Sequence, residues 1–309
     1  MAIPHASPVK PPLLALVGPT ASGKTAVARA LAKKIPSVLI SCDSMQVYKG
    51  MPILTQASAD TRLSEFLDPS RDYSAAQYRV DAEKEIARAL KQKKLPILVG
   101  GTGLYLRALL DGLFESDGPA SDLKYRQKLL DQAAKRPAGY LHGLLKKADP
   151  ARAAQIHPND SRRLLRALEV FHLTGKRMSE QLPAREGIRG RHRLKVFLLE
   201  PDRPVLYERI NRRVKVMIRQ GLPAEIKKLG RKKLSRTAEM ALGLRQMKAV
   251  LAGEKTLPEA VEEIQKFTRH YAKRQLSWFR RERDIIPIAV PPLEKPARTA
   301  ARILELWKQ

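Results

Sequence analysis

Leu13-Leu14-Ala15-Leu16-Val17-Gly18-Pro19-Thr20-Ala21-Ser22-Gly23-Lys24-Thr25 is the stretch that decides the fold. The apolar run before Gly18 predicts a buried strand, and Ala26 onward (AVARALAKK) has helical character. Between them residues 18–25 match G-x-x-x-x-G-K-[ST] in its required strand-to-helix context. In such a loop, Gly18 and Gly23 let backbone amides close on phosphate oxygens, with Pro19, Thr20, Ala21 and Ser22 completing the turn. The helix start adds partial positive charge, Lys24 reaches the terminal phosphates and the Thr25 hydroxyl suits Mg²⁺.

Four further apolar runs, at residues 38–40, 97–99, 195–199 and 285–290, read as buried strands separated by long helical patterns. Strands alternating with helices imply an α/β fold: a P-loop NTPase-like parallel sheet flanked by helices. Residues 122–189 carry no strand signal and several basic helices, so a helical insertion domain is expected there. The core domain is then 13–121 and 190–309, preceded by a Pro-rich flexible arm at 1–12.

Lys and Arg number 59 against 31 Asp and Glu, and the net charge of +28 points to a polyanionic partner, nucleic acid first. No apolar run approaches spanning length, and residues 13–17 are too few for a signal-peptide core, so a cytoplasmic protein without membrane association is expected. Cys42 is the single cysteine and the six histidines are scattered, which excludes an intramolecular disulfide and a zinc-ligand spacing. Oxygen ligands are expected for any metal.

Two polar positions follow other apolar runs. Asp43 comes just after Val38-Leu39-Ile40, and Gly100-Gly101-Thr102-Gly103 just after Ile97-Leu98-Val99. Taken singly, Asp43 fits a turn carboxylate and Thr102 a helix cap. Together with the loop, they set an anion cradle, a carboxylate and a hydroxyl at the carboxyl ends of three parallel strands, where open α/β sheets bind ligands. Phosphoryl transfer from a nucleotide and displacement of a diphosphate from another substrate both remain open.

GPTASGKT followed by ISCDSMQVYKGM resembles the tRNA dimethylallyltransferase (isopentenylpyrophosphate transferase) family. The likeness continues through DYSAAQYRVDA, PILVGGTGLYLRALLDGL, IHPNDSRRLLRALEVFHLTGK, RINRRVKVMIRQGLPAEI and YAKRQLSWFRR. It implies transfer of a dimethylallyl group from its diphosphate to N6 of the adenosine adjacent to the anticodon in tRNA, with Mg²⁺ and release of diphosphate. Carried over residue by residue, residues 20–25 would hold the diphosphate, and Asp43, Ser44, Met45 and Gln46 the target adenosine. Thr102 and Arg126 correspond to tRNA-touching positions and Arg213 to a basic group near the leaving group. Arg162, Arg163, Arg166, Arg245, Lys273, Arg274, Gln275, Trp278 and Arg280 fall in further segments that contact the anticodon stem-loop. No protein partner is implied, and a monomer is expected. PILTQAS stands where the family usually has a DIGTAK-like segment, and Ala241-Leu242-Gly243 where I-G-Y is common.

The chemistry needs these residue types. An allylic diphosphate leaves when fixed positive groups meet its charge, a task for Lys24, Arg213 and the metal. The adenine amine is a poor nucleophile, so a carboxylate at Asp43 would serve as general base, and the resemblance adds Thr102 to the catalytic candidates. In the last basic helix, Lys266, Arg269, Lys273 and Arg280 form one stripe, while Val261, Ile264, Phe267 and Tyr271 form another. Trp278 and Phe279 fit either base stacking or the core, and Arg213 fits either the leaving-group site or a pair with Glu208 or Glu225. A P-loop kinase of a small metabolite, or an RNA-binding protein with a vestigial loop, are the competing functions.

Overall fold

The computed structural model describes residues 10–112, 122–181, 186–230 and 232–309. Five strands form one parallel sheet: β1 (Pro12–Val17), β2 (Ser37–Ser41), β3 (Leu95–Gly100), β4 (Arg193–Pro201) and β5 (Ile285–Val290). Their spatial order is β2-β3-β1-β4-β5. The expected α/β sheet is therefore present, with each strand on an apolar run. Leu13 to Val17 hold the middle of the sheet and are wholly buried, as a continuous apolar run requires when both faces are covered.

The helices are α1 (Lys24–Ala32), α2 (Pro52–Thr55), α3 (Ala75–Lys91), α4 (Gly103–Leu110), α5 (Leu123–Ala134), α6 (Tyr140–Ala148) and α7 (Pro150–Ala153). They continue as α8 (Ser161–Thr174), α9 (Met178–Gln181), α10 (Arg203–Arg219), α11 (Leu222–Leu229), α12 (Leu244–Leu251), α13 (Leu257–Phe279) and α14 (Pro296–Lys308). One side of the sheet is sealed by α1 and α14, where Val27, Leu31, Ile303 and Trp307 pack on Leu14, Leu16, Ile97 and Phe197. Burying each such side chain contributes about 1.5–3 kcal/mol. No described helix is long and apolar enough to cross a membrane.

Both sheet edges depart from a simple buried reading. β5 buries Ile288 and Val290 but leaves Pro287 and Ala289 exposed, because it is an outer strand. An edge also tolerates the N–H that Pro287 lacks. At the opposite edge the backbone of Arg62 pairs with β2, its N–H donating to Leu39 O and its carbonyl accepting from Ser41 N, both at 2.8 Å. That cover withdraws β2 from edge-to-edge pairing.

The register positions the site. Val17 lies opposite Gly100, and Ser41 opposite Val99. Gly18, Cys42 and Gly101 consequently leave the sheet along one rim.

The arm expected at 1–12 does not include its last two residues. Residues 1–9 lie outside the described residues, whereas Pro12 already pairs with Arg193 in the sheet and Pro11 O accepts Arg193 N at 2.9 Å. Proline cannot donate, but its carbonyl can still join a ladder.

Two compact units result: the sheet unit, running to Leu109 and again from Arg189 to Gln309, and a helical unit, Leu110–Ile188. The second begins earlier than the expected residue 122, a boundary that adjoins residues 113–121 outside the described set. Its stem explains this: a Cβ at Gly187 would stand 2.1 Å from Leu110 O, and one at Gly112 2.6 Å from Glu186 O, so the two chain segments touch there.

Within the helical unit Leu129, Leu141, Leu145, Leu164, Leu165 and Leu168 form the core. Glu169 is buried beside them. It accepts Arg126 at 2.7 and 2.6 Å, Arg166 at 2.6 Å and the Asp122 N–H at 2.8 Å. Burial works to raise its carboxyl pKa, yet the hydrogen bonds from the two arginines hold it below the usual value.

Candidate active site

The phosphate loop follows β1 and ends in α1. Gly18 is required by space and by backbone: at φ 149° its Cβ would meet Leu199 O at 2.9 Å. Gly23, at φ 94°, caps α1 and supplies no side chain, so the first N–H groups of the helix stay uncapped by side chains. The Lys24 ammonium bridges Gly18 O at 3.0 Å and Pro19 O at 2.7 Å. Ala21 adopts φ 62°, a left-handed conformation for a residue with a Cβ.

Two residues from distant helices grip Thr20. Arg213 of α10 donates to its Oγ1 at 3.0 Å, while Gln275 of α13 accepts its N–H at 2.8 Å. Leu206, Ile210, Val214 and Met217 are all buried; Arg213, two turns beyond Leu206, lies on the same stripe, where Leu206 and Ile210 pack against Ala21 of the loop. Arg213 is thus paired with neither Glu208 nor Glu225: Glu208 takes Arg212, and Glu225 accepts the N–H groups of Ile53 and Leu54 at 2.8 Å.

β2 delivers Asp43. Its Oδ1 accepts Met45 N at 2.9 Å in a local turn, and Oδ2 takes no hydrogen bond from any described residue. The Thr102 Oγ1 accepts Ser44 N at 3.0 Å and lies 3.3 Å from Ser44 Oγ. Two backbone bonds tie the strand ends together, Cys42 N to Val99 O at 2.8 Å and Thr102 N to Cys42 O at 3.1 Å. A Cβ at Gly100 would be 2.0 Å from Cys42 O, so glycine alone permits this approach. Gln46 is braced by Ser41 Oγ at 2.9 Å and Gln56 O at 3.1 Å. The atypical PILTQ segment is therefore a short helix whose end supports Gln46.

Electrostatics join these groups. Burial lowers the Lys24 pKa to about 8, with Arg213 acting the same way and Asp43 opposing. Burial likewise brings Arg213 to about 10 against the pull of Asp43. Two desolvated cations share one carboxylate, which leaves an excess of positive charge suited to an anion. Cys42, buried beneath, has its thiol pushed up to about 12 and stays a neutral packing group.

The other expected site residues divide. Arg126 and Arg166 hold Glu169, and Arg163 stands 3.4 Å from Asp160 on the same unit as Arg162. Arg245, Lys273 and Arg274 are exposed on the sheet unit, and Arg280 pairs with Glu200 at 2.8 Å. Trp278 packs inward: a Cβ at Gly103 would meet its Nε1 at 2.2 Å, and Arg107 covers its ring at 4.5 Å. Phe279 is buried, whereas Phe267, on the apolar stripe, is 42% exposed. The buried face of α13 is instead Ala260, Ile264, Ala272, Gln275 and Phe279. Gln275, placed above with the tRNA-facing segment, lies on that inner face, and the run of core positions was the signal that could have found it.

The family model for IPP transferases matches residues 46–282. The chain belongs to the IPP transferase family. Among curated relatives, a tRNA dimethylallyltransferase of Bacillus licheniformis is 40% identical over 287 residues, spanning 89% of this chain and 90% of that one. Another, of Carboxydothermus hydrogenoformans, is 42% identical over 278 residues, 87% and 89% of the two chains. The solved tRNA isopentenylpyrophosphate transferase of Bacillus halodurans aligns with a TM-score of 0.69 at 36% identity, covering 97% of each chain. A eukaryotic dimethylallyltransferase solved while acting on tRNA aligns with a TM-score of 0.79 at 27% identity, over 95% of this chain and 77% of that one. These alignments extend the IPP transferase likeness to nearly the whole chain, while the family model itself begins after the phosphate loop and Asp43.

Proposed function

We propose that the protein transfers a dimethylallyl group from dimethylallyl diphosphate to N6 of the adenosine next to the anticodon of tRNA, and does so in the cytoplasm, where tRNA is used. The observation that carries this reading is the pairing, on one rim of the sheet, of the Lys24 and Arg213 cations with the Asp43 carboxylate. The cations meet the charge that develops as the allylic carbon–oxygen bond breaks. Asp43 Oδ2 accepts the N6 proton as the new carbon–nitrogen bond forms. Thr102 and Ser44 shape the floor next to that carboxylate.

A Mg²⁺ ion fits the loop chemistry. No group of three or more His, Cys, Asp or Glu among the described residues could hold a metal, but Mg²⁺ binds through few protein ligands together with phosphate oxygens and water. The Thr25 hydroxyl, at the start of α1, would be that protein ligand. The ion would add positive charge at the leaving group when bound.

An everted adenine costs a few kcal/mol of stacking, which contacts to the surrounding strand must offset. Exposed Arg245, Lys266, Lys273 and Arg274 supply charge for them on the sheet unit. Affinity for tRNA should accordingly fall by about 10³-fold or more between 50 and 200 mM salt if six or more phosphates are met. A flat titration would remove these basic groups from RNA binding.

Incubation of unmodified tRNA with the protein, Mg²⁺ and either dimethylallyl diphosphate or ATP tests the reading. One adenosine should gain the mass of a dimethylallyl group with the first donor alone. ATP consumption coupled to phosphorylation of an acceptor would favour a kinase instead.

A further inference from the structure

Gln275 lies on α13 eleven residues beyond Ile264, on the helix's buried face, and is 5% exposed. Both ends of its amide are used. Oε1 accepts the Thr20 N–H at 2.8 Å and Nε2 donates to Gly101 O at 2.8 Å. The partners fix the orientation of the amide, since an N–H faces its oxygen and a carbonyl its nitrogen. A Cβ at Gly101 would stand 2.2 Å from Nε2 and 3.2 Å from Gly18 O, so two loop backbones and one side chain converge there. Thr20 is held at its other end by Arg213, and Thr102, next after Gly101, accepts the N–H of Ser44 beside Asp43.

We propose that Gln275 is a positioning residue for prenyl transfer, a bracket that locks the diphosphate loop to the loop carrying Thr102. The inference rests on the transferase reading. The bracket fixes the spacing between the leaving-group anchor and the Asp43 segment, so the reacting atoms start from a near-attack separation. It stands on the same helix that exposes Lys273 and Arg274, whose docking on RNA is thereby passed to both loops. A side chain of this length with one donor and one acceptor is needed. Ionised Glu only accepts, and Met donates nothing and accepts only weakly.

Gln275→Met should lower kcat by about 10²-fold, the scale expected for misplacement of reacting groups, while tRNA affinity stays close to wild type. Gln275→Glu should lose activity at pH 8.5 and regain about ten-fold relative to wild type by pH 6, because a protonated carboxyl again offers one donor and one acceptor and burial raises its pKa. Wild-type kcat in Gln275→Met at an unchanged Tm would overturn the bracket, as would a loss that tracks tRNA affinity alone or a Gln275→Glu ratio flat with pH. Should Gln275→Met fail to fold, the pH profile of Gln275→Glu decides. Calorimetry with inorganic pyrophosphate, without tRNA, separates the two levels. If wild type transfers no prenyl group, the transferase reading fails; the bracket, which holds the Thr20 N–H of the diphosphate loop, separately predicts weaker pyrophosphate binding in Gln275→Met and fails if that variant binds it as wild type does.

Discussion

Asp43→Asn abolishes most of the transfer, by about 10²–10⁴-fold in the single-turnover rate, while tRNA affinity stays nearly unchanged. Asn is nearly isosteric with Asp. Its carbonyl can still accept Met45 N, so the local turn survives and only the proton acceptor is lost. Asp43→Ala removes both, and the difference between the two variants measures the turn alone. The rate loss arises because Oδ2 faces no other described hydrogen-bond donor and is free to take the N6 proton. A rate in Asp43→Asn within a few-fold of wild type would make Asp43 a turn residue and leave the reaction without its base.

Lys24→Ala lowers kcat/KM for dimethylallyl diphosphate by about 10²–10³-fold, the scale for deleting one donor that meets transition-state charge. A pH effect accompanies it. Burial brings the Lys24 pKa down to about 8, so in the free protein the ammonium is intact below that pH and is lost as pH rises through it. kcat/KM for the diphosphate therefore falls above about pH 8. Binding an anion restores the charged form, so diphosphate binding near pH 8 takes up protons. Calorimetry in buffers of different ionisation enthalpy reads this directly. Lys24→Arg, which stays charged, should lose the uptake that Lys24 contributes, leaving only what the diphosphate itself takes up; an uptake identical to wild type would dissociate Lys24 from the bound anion.

The phosphate loop was legible because its demands are local: glycine where φ is positive, lysine and threonine at the helix start, an apolar run before them. Asp43 and Thr102 were legible as positions, since a polar residue just past a buried parallel strand must emerge on the ligand-binding rim. Partnerships across long sequence separations were not. Arg126 meets Glu169 across 43 residues and Gln275 meets Thr20 across 255, and no periodicity records such pairs. Gln275 is masked further by its basic neighbours, which make the segment read as an RNA-contacting face although its own position repeats the spacing of Ile264 and Phe279. Phe267 departs in the opposite sense. It stands on the apolar stripe, yet the buried face is narrow enough to be filled by Ala260, Ile264 and Ala272. The pairing of Pro11 and Pro12 is equally illegible, because a Pro-rich stretch gives no strand signal while its carbonyls still pair.

A structure of the protein bound to an anticodon stem-loop and a non-cleavable dimethylallyl diphosphate analogue is the most direct measurement. The expected result has the diphosphate on Lys24 and Arg213 and an everted adenine whose N6 lies about 3 Å from Asp43 Oδ2, facing the allylic carbon. An adenine still stacked in its loop, or an Asp43 carboxylate turned to a different surface from the diphosphate, would contradict the account.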